Sequence, residues 1–183
     1  LWKEKVTDTV IHSPYHETDR LILRAPAARD VGAFADFYAS EHSQPVGGPI
    51  GAADAWRMLA GIIGHWCLRG FGRWIVSWKG EDRAIGLVGL HHPSDWPEVE
   101  IGWTVWGDGL GKGVAQEAAR RARQFAFDDL GLKTLISSCA PDNPRSARVA
   151  ERLGATRDGA WTHPTFGIYD IWRHAAPSKL GAA

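Results

Sequence analysis

The sequence predicts an α/β (α+β) fold, in which one mixed and mostly antiparallel sheet is flanked by helices in a single domain. Three observations indicate this. The chain has 183 residues, which suits one domain with its own core. Hydrophobic residues make up 44% and charged residues 23%, values typical of a globular protein and not of a disordered chain. Strand and helix patterns alternate along the chain, with consecutive strands near its middle.

The first third of the chain contains one strand pattern and two helix patterns. Residues 19–25 alternate apolar and polar side chains, which predicts a strand. Asp30 is placed to cap a helix over 31–40. Residues 51–69 carry apolar side chains at helical spacing and follow the loop sequence GGPIG. The positions expected to form the apolar face of this second helix are Trp56, Leu59, Ile63 and Trp66.

Three strands are predicted next, over residues 71–79, 84–92 and 99–105. The second of them is apolar on both faces, as a central strand of a sheet usually is. A glycine-rich stretch follows the third strand and leads into a helix that should end near Asp129. The pattern therefore places this stretch between a central strand and a helix N-terminus.

The last part of the chain predicts one more strand, a short helix and two final strands. The strand covers residues 134–139, and the helix covers 144–153 with Pro144 at its first position, where a missing N–H is harmless. The two final strands are expected over 156–161 and 167–173. No internal repeat or low-complexity linker divides the chain, so a single domain is expected.

Charge and composition argue against several classes of partner. The formal net charge is zero, whereas nucleic-acid and anionic-membrane partners usually require a basic surface. No run of about 18 apolar residues is present to span a membrane, and the polar start LWKEKVTDTV does not resemble a signal peptide. We therefore expect a cytoplasmic protein with no nucleic-acid or membrane partner.

The histidines and cysteines do not predict a metal site or a disulfide framework. His91 and His92 are adjacent on a predicted strand, so their side chains point to opposite faces and cannot bind one ion together. Two cysteines do not make a framework, and Cys139 is expected to be buried at a strand end, with no base assigned to activate it.

The stretch GDGLGKGVAQEAARRA, residues 107–122, is suited to binding an anion. Its backbone amides lie at a predicted helix N-terminus, where they lack intrahelical partners, and glycine lets a phosphate approach closely. It is not a P-loop, because Gly113 follows Lys112 where Ser or Thr is required. It is not a Rossmann fingerprint either, because Val114 stands at the third glycine position. A purely structural turn remains the alternative.

A second motif gives the stretch a family context. The residues Leu110-Gly111-Lys112-Gly113-Val114-Ala115, with DNPRSARVAERLG downstream, resemble the GNAT superfamily of acetyl-CoA-dependent N-acetyltransferases. More narrowly, they resemble the branch that contains ribosomal-protein N-terminal acetyltransferases and small-molecule relatives. Leu110 departs from the Gln or Arg that the family motif has at that position, which removes a side-chain contact but leaves the backbone amides in place.

The resemblance extends from about residue 18 to about residue 172 and implies a domain organisation. It places an N-terminal extension at 1–17, the N-acetyltransferase domain at 18–174 and a C-terminal tail at 175–183. It also implies acetyl-CoA as co-substrate, with no metal. The pantetheine arm would run along strand 99–105, where a splay of the sheet beyond Val105 would make room for it. The residues implied to bind acetyl-CoA are Thr104, Val105, Leu110, Gly111, Lys112, Gly113, Val114, Ala115, Gln116, Asn143 and Ser146.

Two residues are candidates for acid–base chemistry. Glu100 shares a strand face with Gly102 and Thr104, and the resemblance implies that it is the general base, acting through water. The alternatives are that Glu100 pairs with an arginine or binds the ammonium group of the substrate. Glu98 is a weaker candidate for the base. The resemblance also implies that Ser146 gives a proton to the CoA sulfur and that Asn143 bonds the pantetheine amide.

Asn143 and Ser146 also have a simpler interpretation from the sequence alone. Asn143 is a suitable N-cap for the helix over 144–153, and Ser146 lies in its first turn. Lys112 could add positive charge at the glycine stretch, although a lysine at a loop tip is often only solvated. The ten tryptophans are expected mainly in the core, with one or two forming a wall of the acceptor pocket.

The predicted function is transfer of the acetyl group of acetyl-CoA to a primary amine, by direct attack on the thioester in a ternary complex. The acceptor is expected to be a small-molecule amine or a protein N-terminal amine, and the neutral charge balance argues against a ribosomal partner. A homodimer is possible in this branch. The alternative from another class is a non-catalytic acyl-CoA-binding sensor or scaffold module.

Overall fold

A computed structural model describes residues 12–176 and contains one eight-stranded sheet. Residues 1–11 of the expected extension and 177–183 of the expected tail lie outside the described residues. The strands are β1 (His16–Glu17), β2 (Leu21–Arg24), β3 (Arg73–Trp78), β4 (Gly86–His91), β5 (Glu100–Val105), β6 (Thr134–Cys139), β7 (Thr156–His163) and β8 (Gly167–Ala175). The α-helices are α1 (Val31–Tyr38), α2 (Ala52–Arg69), α3 (Val114–Gln124) and α4 (Pro144–Arg152).

The strands lie in the order β1-β2-β3-β4-β5-β6-β8-β7. All neighbouring pairs are antiparallel except β5 and β6, which are parallel. The predicted mixed, mostly antiparallel sheet is therefore confirmed. A π-helical turn (Phe125–Asp129) extends α3 to the residue at which the sequence predicted its end. No helix in residues 12–176 combines the length and the apolar character that a membrane span requires.

Helices cover both faces of the sheet. Successive side chains of β5 point to opposite faces, so each residue of β5 faces one helical layer or the other. Ile101 packs in the core that contains Ala118 of α3. Leu87 of β4 packs in a second core with Leu59 of α2. Since Leu87 pairs with Thr104 in the antiparallel register, the even-numbered residues of β5 lie on the α1/α2 side. Glu100 is consequently on the α1/α2 face, as its position in the strand predicted.

The buried face of α2 differs from the predicted one. Its buried residues are Ala55, Leu59, Ile62 and Trp66. Trp56 is 58% exposed, so its predicted place in the core is wrong, and Ile63 is only partly buried. Leu59 and Trp66 belong to both stripes, but Ala55 and Ile62 replace Trp56 and Ile63, so the buried stripe is rotated by roughly 50° from the predicted one.

The sheet opens between β5 and β6, its two central strands. Their recorded register contains one pair, Glu100 with Ile136, and the Ile136 amide donates to the Val99 carbonyl over 3.1 Å. One residue further on, the Ser137 hydroxyl donates to the Ile101 carbonyl over 2.8 Å, in place of a backbone amide. Beyond that hydrogen bond the strands diverge. The predicted splay is confirmed, but it begins just after Glu100 and not beyond Val105.

A buried side-chain contact holds the strands together at the point where they diverge. The Ser137 hydroxyl uses its one hydrogen for Ile101, so it accepts from Nε2 of His174 on β8, 2.9 Å away. Burial lowers the pKa of His174 to about 4, which keeps this imidazole neutral near pH 7. Because Ser137 and His174 are both fully buried, water cannot replace either hydrogen bond.

We expect Ser137→Ala to destabilise the fold by about 1–3 kcal/mol, because it leaves the Ile101 carbonyl and the His174 N–H buried without partners. The free energy of unfolding in urea measures the change. Ser94→Ala, in an exposed loop, is the control and should stay within about 0.5 kcal/mol of the original protein. A Ser137 variant as stable as this control would show that the hydroxyl does not hold the strands.

Candidate active site

A cavity of about 220 Å³ lies at the gap between β5 and β6. Its lining comes from β3, β4, β5 and β6, from the start of α4, from the hairpin that joins β7 to β8, and from residues 45–47. The structure brings four of the predicted site residues together in this lining: Glu100, Thr104, Asn143 and Ser146. The glycine-rich residues lie outside the cavity, at the start of α3.

Glu100 places a buried carboxylate against the cavity. Glu100 is 6% exposed, and its Oε2 atom accepts a hydrogen bond from the indole N–H of Trp96. Burial raises the pKa of Glu100, and the charge of Arg73 and the Trp96 hydrogen bond oppose that rise. The remaining oxygen, Oε1, faces Gly102. The arrangement gives a carboxylate with increased proton affinity and one oxygen available to accept a proton.

Arg73 was not singled out in the sequence, although it lies beside Glu100 in the cavity lining. Its position on β3 pairs with Gly89 of β4, which carries no side chain to cover it. A Cβ atom on Gly89 would come within 2.8 Å of the Arg73 Cα atom, so glycine is required for this close approach. The signal in the sequence is an arginine on one strand opposite a glycine on a central strand. It can be recognised only when the pairing of β3 with β4 is known.

Ser146 and Asn143 form a hydrogen-bonded unit at the start of α4. The Asn143 side-chain oxygen accepts from the Ser146 amide over 3.2 Å, which is the N-cap expected from the sequence. The Trp103 indole donates to the Ser146 hydroxyl oxygen over 3.2 Å. This contact orients the hydroxyl and leaves its own hydrogen to be donated elsewhere. Ser146 can therefore supply a proton to an atom in the cavity.

Glu98, the weaker candidate for the base, is engaged elsewhere. Both of its oxygens accept from the guanidinium of Arg173 over 2.9 Å, and Arg173 also binds Asp158. The hydrogen bonds from Arg173 lower the pKa of Glu98. A carboxylate that is paired in this way and lies outside the cavity is a poor proton acceptor, so Glu100 is the better candidate.

Two other cavity residues, Cys139 and His91, have chemistry that burial suppresses. Burial raises the pKa of the Cys139 thiol to about 12, so the thiolate that a nucleophile needs is scarce near neutral pH. Burial, reinforced by Arg73, lowers the pKa of His91 to about 2, so this imidazole stays neutral. Within residues 12–176, no group of three or more His, Cys, Asp or Glu is arranged to hold a metal ion.

The glycine stretch forms a turn that leads directly into α3. Gly111 and Gly113 have φ angles of 72° and 78°, in the left-handed region that favours glycine. The amides of Val114, Ala115 and Gln116 open the helix and have no carbonyl four residues earlier within it. A Cβ atom on Gly111 would meet nothing within 4 Å, so its surface faces open space. These features fit a pyrophosphate, whose oxygens would accept from the amides.

The side chains around this turn are partly committed to other contacts. Leu110 is about half exposed, and the ammonium of Lys112 lies 5.6 Å from the centre of the Trp78 ring. Arg20, which the sequence did not single out, donates to the Lys112 carbonyl over 3.0 Å and binds Glu117 of α3. This arginine fastens the turn to the edge of β2 and adds a positive charge next to the glycines.

The gap exposes backbone groups of β5 that could bind an extended ligand. The carbonyls of Val99 and Ile101 point toward β6, so the alternation of the strand directs those of Trp103 and Val105 to the same side. Past the splay they meet no strand. Thr104 instead turns its backbone toward β4 and offers only its side chain to the cavity. The resemblance implies that the pantetheine arm pairs with backbone groups around Thr104 and Val105; the backbone of Val105 points toward the gap, whereas that of Thr104 points toward β4.

The aromatic wall of the cavity comes from parts of the chain that the sequence did not point to. Trp96 lies in the loop before β5, and Phe166 and Tyr169 belong to the β7–β8 hairpin. Of the ten tryptophans, which the sequence placed mainly in the core, Trp96 and Trp103 line this cavity. The contacts that join the aromatic cluster bring ring centres within 4.5–6.4 Å for Trp96, Trp161, His163, Phe166 and Tyr169.

Comparison with known proteins places the chain in a family context. The family described as "Acetyltransferase (GNAT) domain" matches residues 20–156. YnaD of Bacillus subtilis (strain 168), an uncharacterized N-acetyltransferase, is 32% identical over 84 residues, which cover 46% of this chain and 49% of YnaD. YdaF of the same organism, a candidate ribosomal N-acetyltransferase, is 31% identical over 75 residues, 40% of this chain and 41% of YdaF. The chain thus spans about half the length of the curated relatives it matches.

Solved structures match over more of the chain. An acetyltransferase from Agrobacterium tumefaciens str. C58 is 34% identical, with a TM-score of 0.82 over 94% of this chain and 98% of that chain. An aminoglycoside acetyltransferase, AAC(6')-Ib, solved in complex with coenzyme A, has a TM-score of 0.71 over 85% of this chain and 94% of its own. It is 20% identical, so this likeness concerns the fold alone.

We expect Glu100→Gln to raise the unfolding temperature at about pH 8 and to lose that advantage at about pH 5. Burial raises the pKa of Glu100 in the folded state, so stability is lost as the pH rises from the ordinary pKa of the unfolded chain to this raised value, and the amide avoids the loss. The test is to measure the unfolding temperatures of the original protein and of the variant across this pH range. Glu151→Gln on the exposed side of α4 is the control. An advantage that is constant with pH would contradict the prediction.

Proposed function

Because the chain belongs to the GNAT acetyltransferase domain family, we propose that it is an N-acetyltransferase that transfers the acetyl group of acetyl-CoA to a primary amine. One observation carries the proposal: the Glu100 carboxylate and the Ser146 hydroxyl line the same cavity, at the gap between β5 and β6. A proton acceptor and a proton donor beside one opening are what acyl transfer to an amine requires.

Acetyl-CoA would bind along the gap and end at the glycine turn. The pyrophosphate would be held by the amides from Leu110 to Gln116, at the N-terminus of α3, and the pantetheine arm would bond backbone groups of Trp103 and Val105. Asn143 lines the cavity next to this path. The coenzyme A bound by AAC(6')-Ib, which shares the fold, supports the choice of co-substrate. When bound, acetyl-CoA supplies an acetyl group activated as a thioester.

Glu100 would act on the amine. An α-amine has a pKa of about 8 and a lysine amine a pKa of about 10.4, so either is mostly protonated near pH 7 and must lose a proton before it attacks. The Oε1 atom of Glu100 faces the cavity, while Oε2 is held by Trp96. The raised pKa of this carboxylate makes it a stronger base than an exposed glutamate. The amine nitrogen then bonds the acetyl carbon in a ternary complex.

Ser146 would act on the leaving group. As the carbon–sulfur bond breaks, the thiolate needs a proton, and the Ser146 hydroxyl is available because its oxygen is the atom that accepts from Trp103. Solvent returns the proton to the serine. Asn143 fixes the serine backbone at the helix start, which keeps the hydroxyl beside the gap. The overall reaction yields an acetylated amine and CoA.

The acceptor is proposed to be a small-molecule amine or a protein N-terminal amine. The cavity of about 220 Å³ is smaller than the roughly 300–1,000 Å³ that encloses a drug-sized ligand. It suits a small amine, or the terminal residue of a longer chain, because only a small group fits beside Glu100. The zero net charge favours the small molecule, since ribosomal partners favour basic surfaces.

Thiol release measures the proposed activity. The protein is incubated with acetyl-CoA and pools of primary amines, and the appearance of free CoA thiol is followed. Amine-dependent release should fall by about 10²–10⁴-fold in Glu100→Gln, the usual contribution of a positioned general base. Stabilisation by acetyl-CoA with no release on any pool would instead support a non-catalytic acyl-CoA-binding module. No stabilisation by acetyl-CoA would overturn the binding site itself.

The glycine turn is tested by a pair of matched substitutions. Gly111→Ala and Gly159→Ala place alanine at positive φ angles of 72° and 83°, with nothing within 4 Å of either new Cβ atom. Both variants therefore carry similar backbone strain, on the order of 1–2 kcal/mol. We expect calorimetry to show weaker CoA binding for Gly111→Ala only. Equal affinity of the two variants for CoA would place the pyrophosphate elsewhere.

A further inference from the structure

Arg73 is a partly buried cation that has no partner of its own. Its guanidinium lines the cavity, and within residues 12–176 it forms no ion pair and no side-chain hydrogen bond, its Nε atom being fully buried and unpaired. Removing a charge and its N–H groups from water costs free energy unless an acceptor replaces the water. Burying the Arg73 guanidinium therefore costs free energy when no ligand is bound, which points to a ligand as its partner.

Two other buried or half-buried arginines, Arg24 and Arg173, are paired with carboxylates of the protein. Arg24 forms two hydrogen bonds with Asp30, at 2.7 and 2.8 Å. Arg173 is bonded by both oxygens of Glu98 and by Asp158. The fold thus provides carboxylates for these two arginines and provides none in contact with Arg73.

The nearest carboxylate, Glu100, is separated from Arg73 by an open space above Gly102. A Cβ atom on Gly102 would lie 3.2 Å from Nη2 of Arg73 and 3.2 Å from Oε1 of Glu100. The two atoms are therefore no more than twice that distance apart, yet the groups form no direct ion pair. The absence of a side chain on Gly102 leaves between them a space that a small molecule can enter.

Among residues 12–176, these two groups are the only charged residues in the lining of the cavity. His91 also lines the cavity and could carry a positive charge, but it is neutral because burial lowers its pKa to about 2. A ligand that enters this space meets one positive group and one negative group, with the aromatic rings of Trp96 and Tyr169 nearby. Such a pair is complementary to a molecule that carries both an amine and an anion a short distance apart.

We infer that Arg73 binds the carboxylate of the acceptor and that the acceptor is a free α-amino acid. This inference rests on the proposed function and narrows its substrate class. A guanidinium binds a carboxylate through two parallel hydrogen bonds, which gives direction as well as attraction. The carboxylate would lie on Arg73 while the amine lies at Oε1 of Glu100, directed toward the acetyl group.

The spacing favours the α-amino acid over longer amines. In an α-amino acid the nitrogen and the carboxyl carbon are about 2.5 Å apart, since both bond to the same carbon. With one hydrogen bond at each end, such a molecule can span Oε1 and Nη2 while it sits over Gly102. A peptide N-terminus has an amide in place of this carboxylate, so it leaves the guanidinium of Arg73 unpaired. The free energy lost in this way weakens the binding of the peptide relative to the free amino acid.

The experiment compares each of the twenty free L-amino acids with its carboxamide, by thiol release from acetyl-CoA. For the preferred side chain, kcat/KM should be about 10–100-fold higher for the acid than for the amide, the usual value of a hydrogen bond to a charged group. In Arg73→Met this ratio should fall close to one. Arg57→Met, in an exposed ion pair on α2, is the control and should keep it.

Arg73 also lowers the pKa of Glu100, so each variant is measured on the plateau of its own pH profile. The ratio of acid to amide separates the two effects, because a change in proton removal by Glu100 alters the rates of both substrates, whereas loss of the carboxylate contact affects the acid alone. An equal loss for acid and amide in Arg73→Met would overturn the inference while leaving the acetyltransferase activity in place. Acetylation of peptide N-termini as fast as of the free amino acid, and independent of Arg73, would overturn it as well.

A binding measurement decides the case in which no amine is acetylated. The protein is saturated with CoA, and its unfolding temperature is measured with the same amino acids and amides. Stabilisation by an amino acid, absent with its amide and absent in Arg73→Met, would support the inference even though the proposed activity had failed. Equal stabilisation by the acid and the amide, or none by either, would overturn it.

Discussion

The rest of the site depends on the interruption of hydrogen bonding between β5 and β6. The strands are parallel, and after the Glu100–Ile136 pair the Ser137 hydroxyl takes the place of a backbone amide as donor to the Ile101 carbonyl. A sheet interior normally satisfies every backbone group, so an opening at its centre leaves donors and acceptors for a ligand. The same opening lets the cavity reach both a face of the sheet and the start of α4. The proposed path of acetyl-CoA and the proposed acid–base groups are thus adjacent.

The charges in this opening are arranged at a cost to the fold. Glu100 is buried, its pKa is raised by that burial, and Arg73 beside it is not paired with any described carboxylate. Buried charges that are left incompletely paired are typical of functional sites, where stability is given up for chemistry. Ser146 is the uncharged counterpart, held by Trp103 and by the Asn143 cap. Glu100 and Ser146 are each positioned by a tryptophan that takes no part in bond making, Trp96 and Trp103 respectively.

Much of the fold and part of the site could be predicted from local patterns. The strands and helices follow from the spacing of apolar residues, and the GNAT family resemblance is confirmed by the match over residues 20–156. Glu100, Asn143 and Ser146 were found because each lies within or beside a recognisable pattern. Trp56 was assigned wrongly, because the rotation of a helix about its axis depends on what it packs against. Arg73 was missed, because its neighbour Gly102 is distant in sequence.

The sequence by itself determined the order and type of the elements, the glycine turn before α3 and the residues that flank the gap, since these depend on contacts between near neighbours along the chain. Only the tertiary structure decided where the sheet opens, which residues line the cavity and that Arg73 faces Glu100 across Gly102. The reason is physical. Strand register and burial are set by contacts between residues far apart in sequence, and the resulting electric fields and pKa shifts exist only once those residues have been brought together.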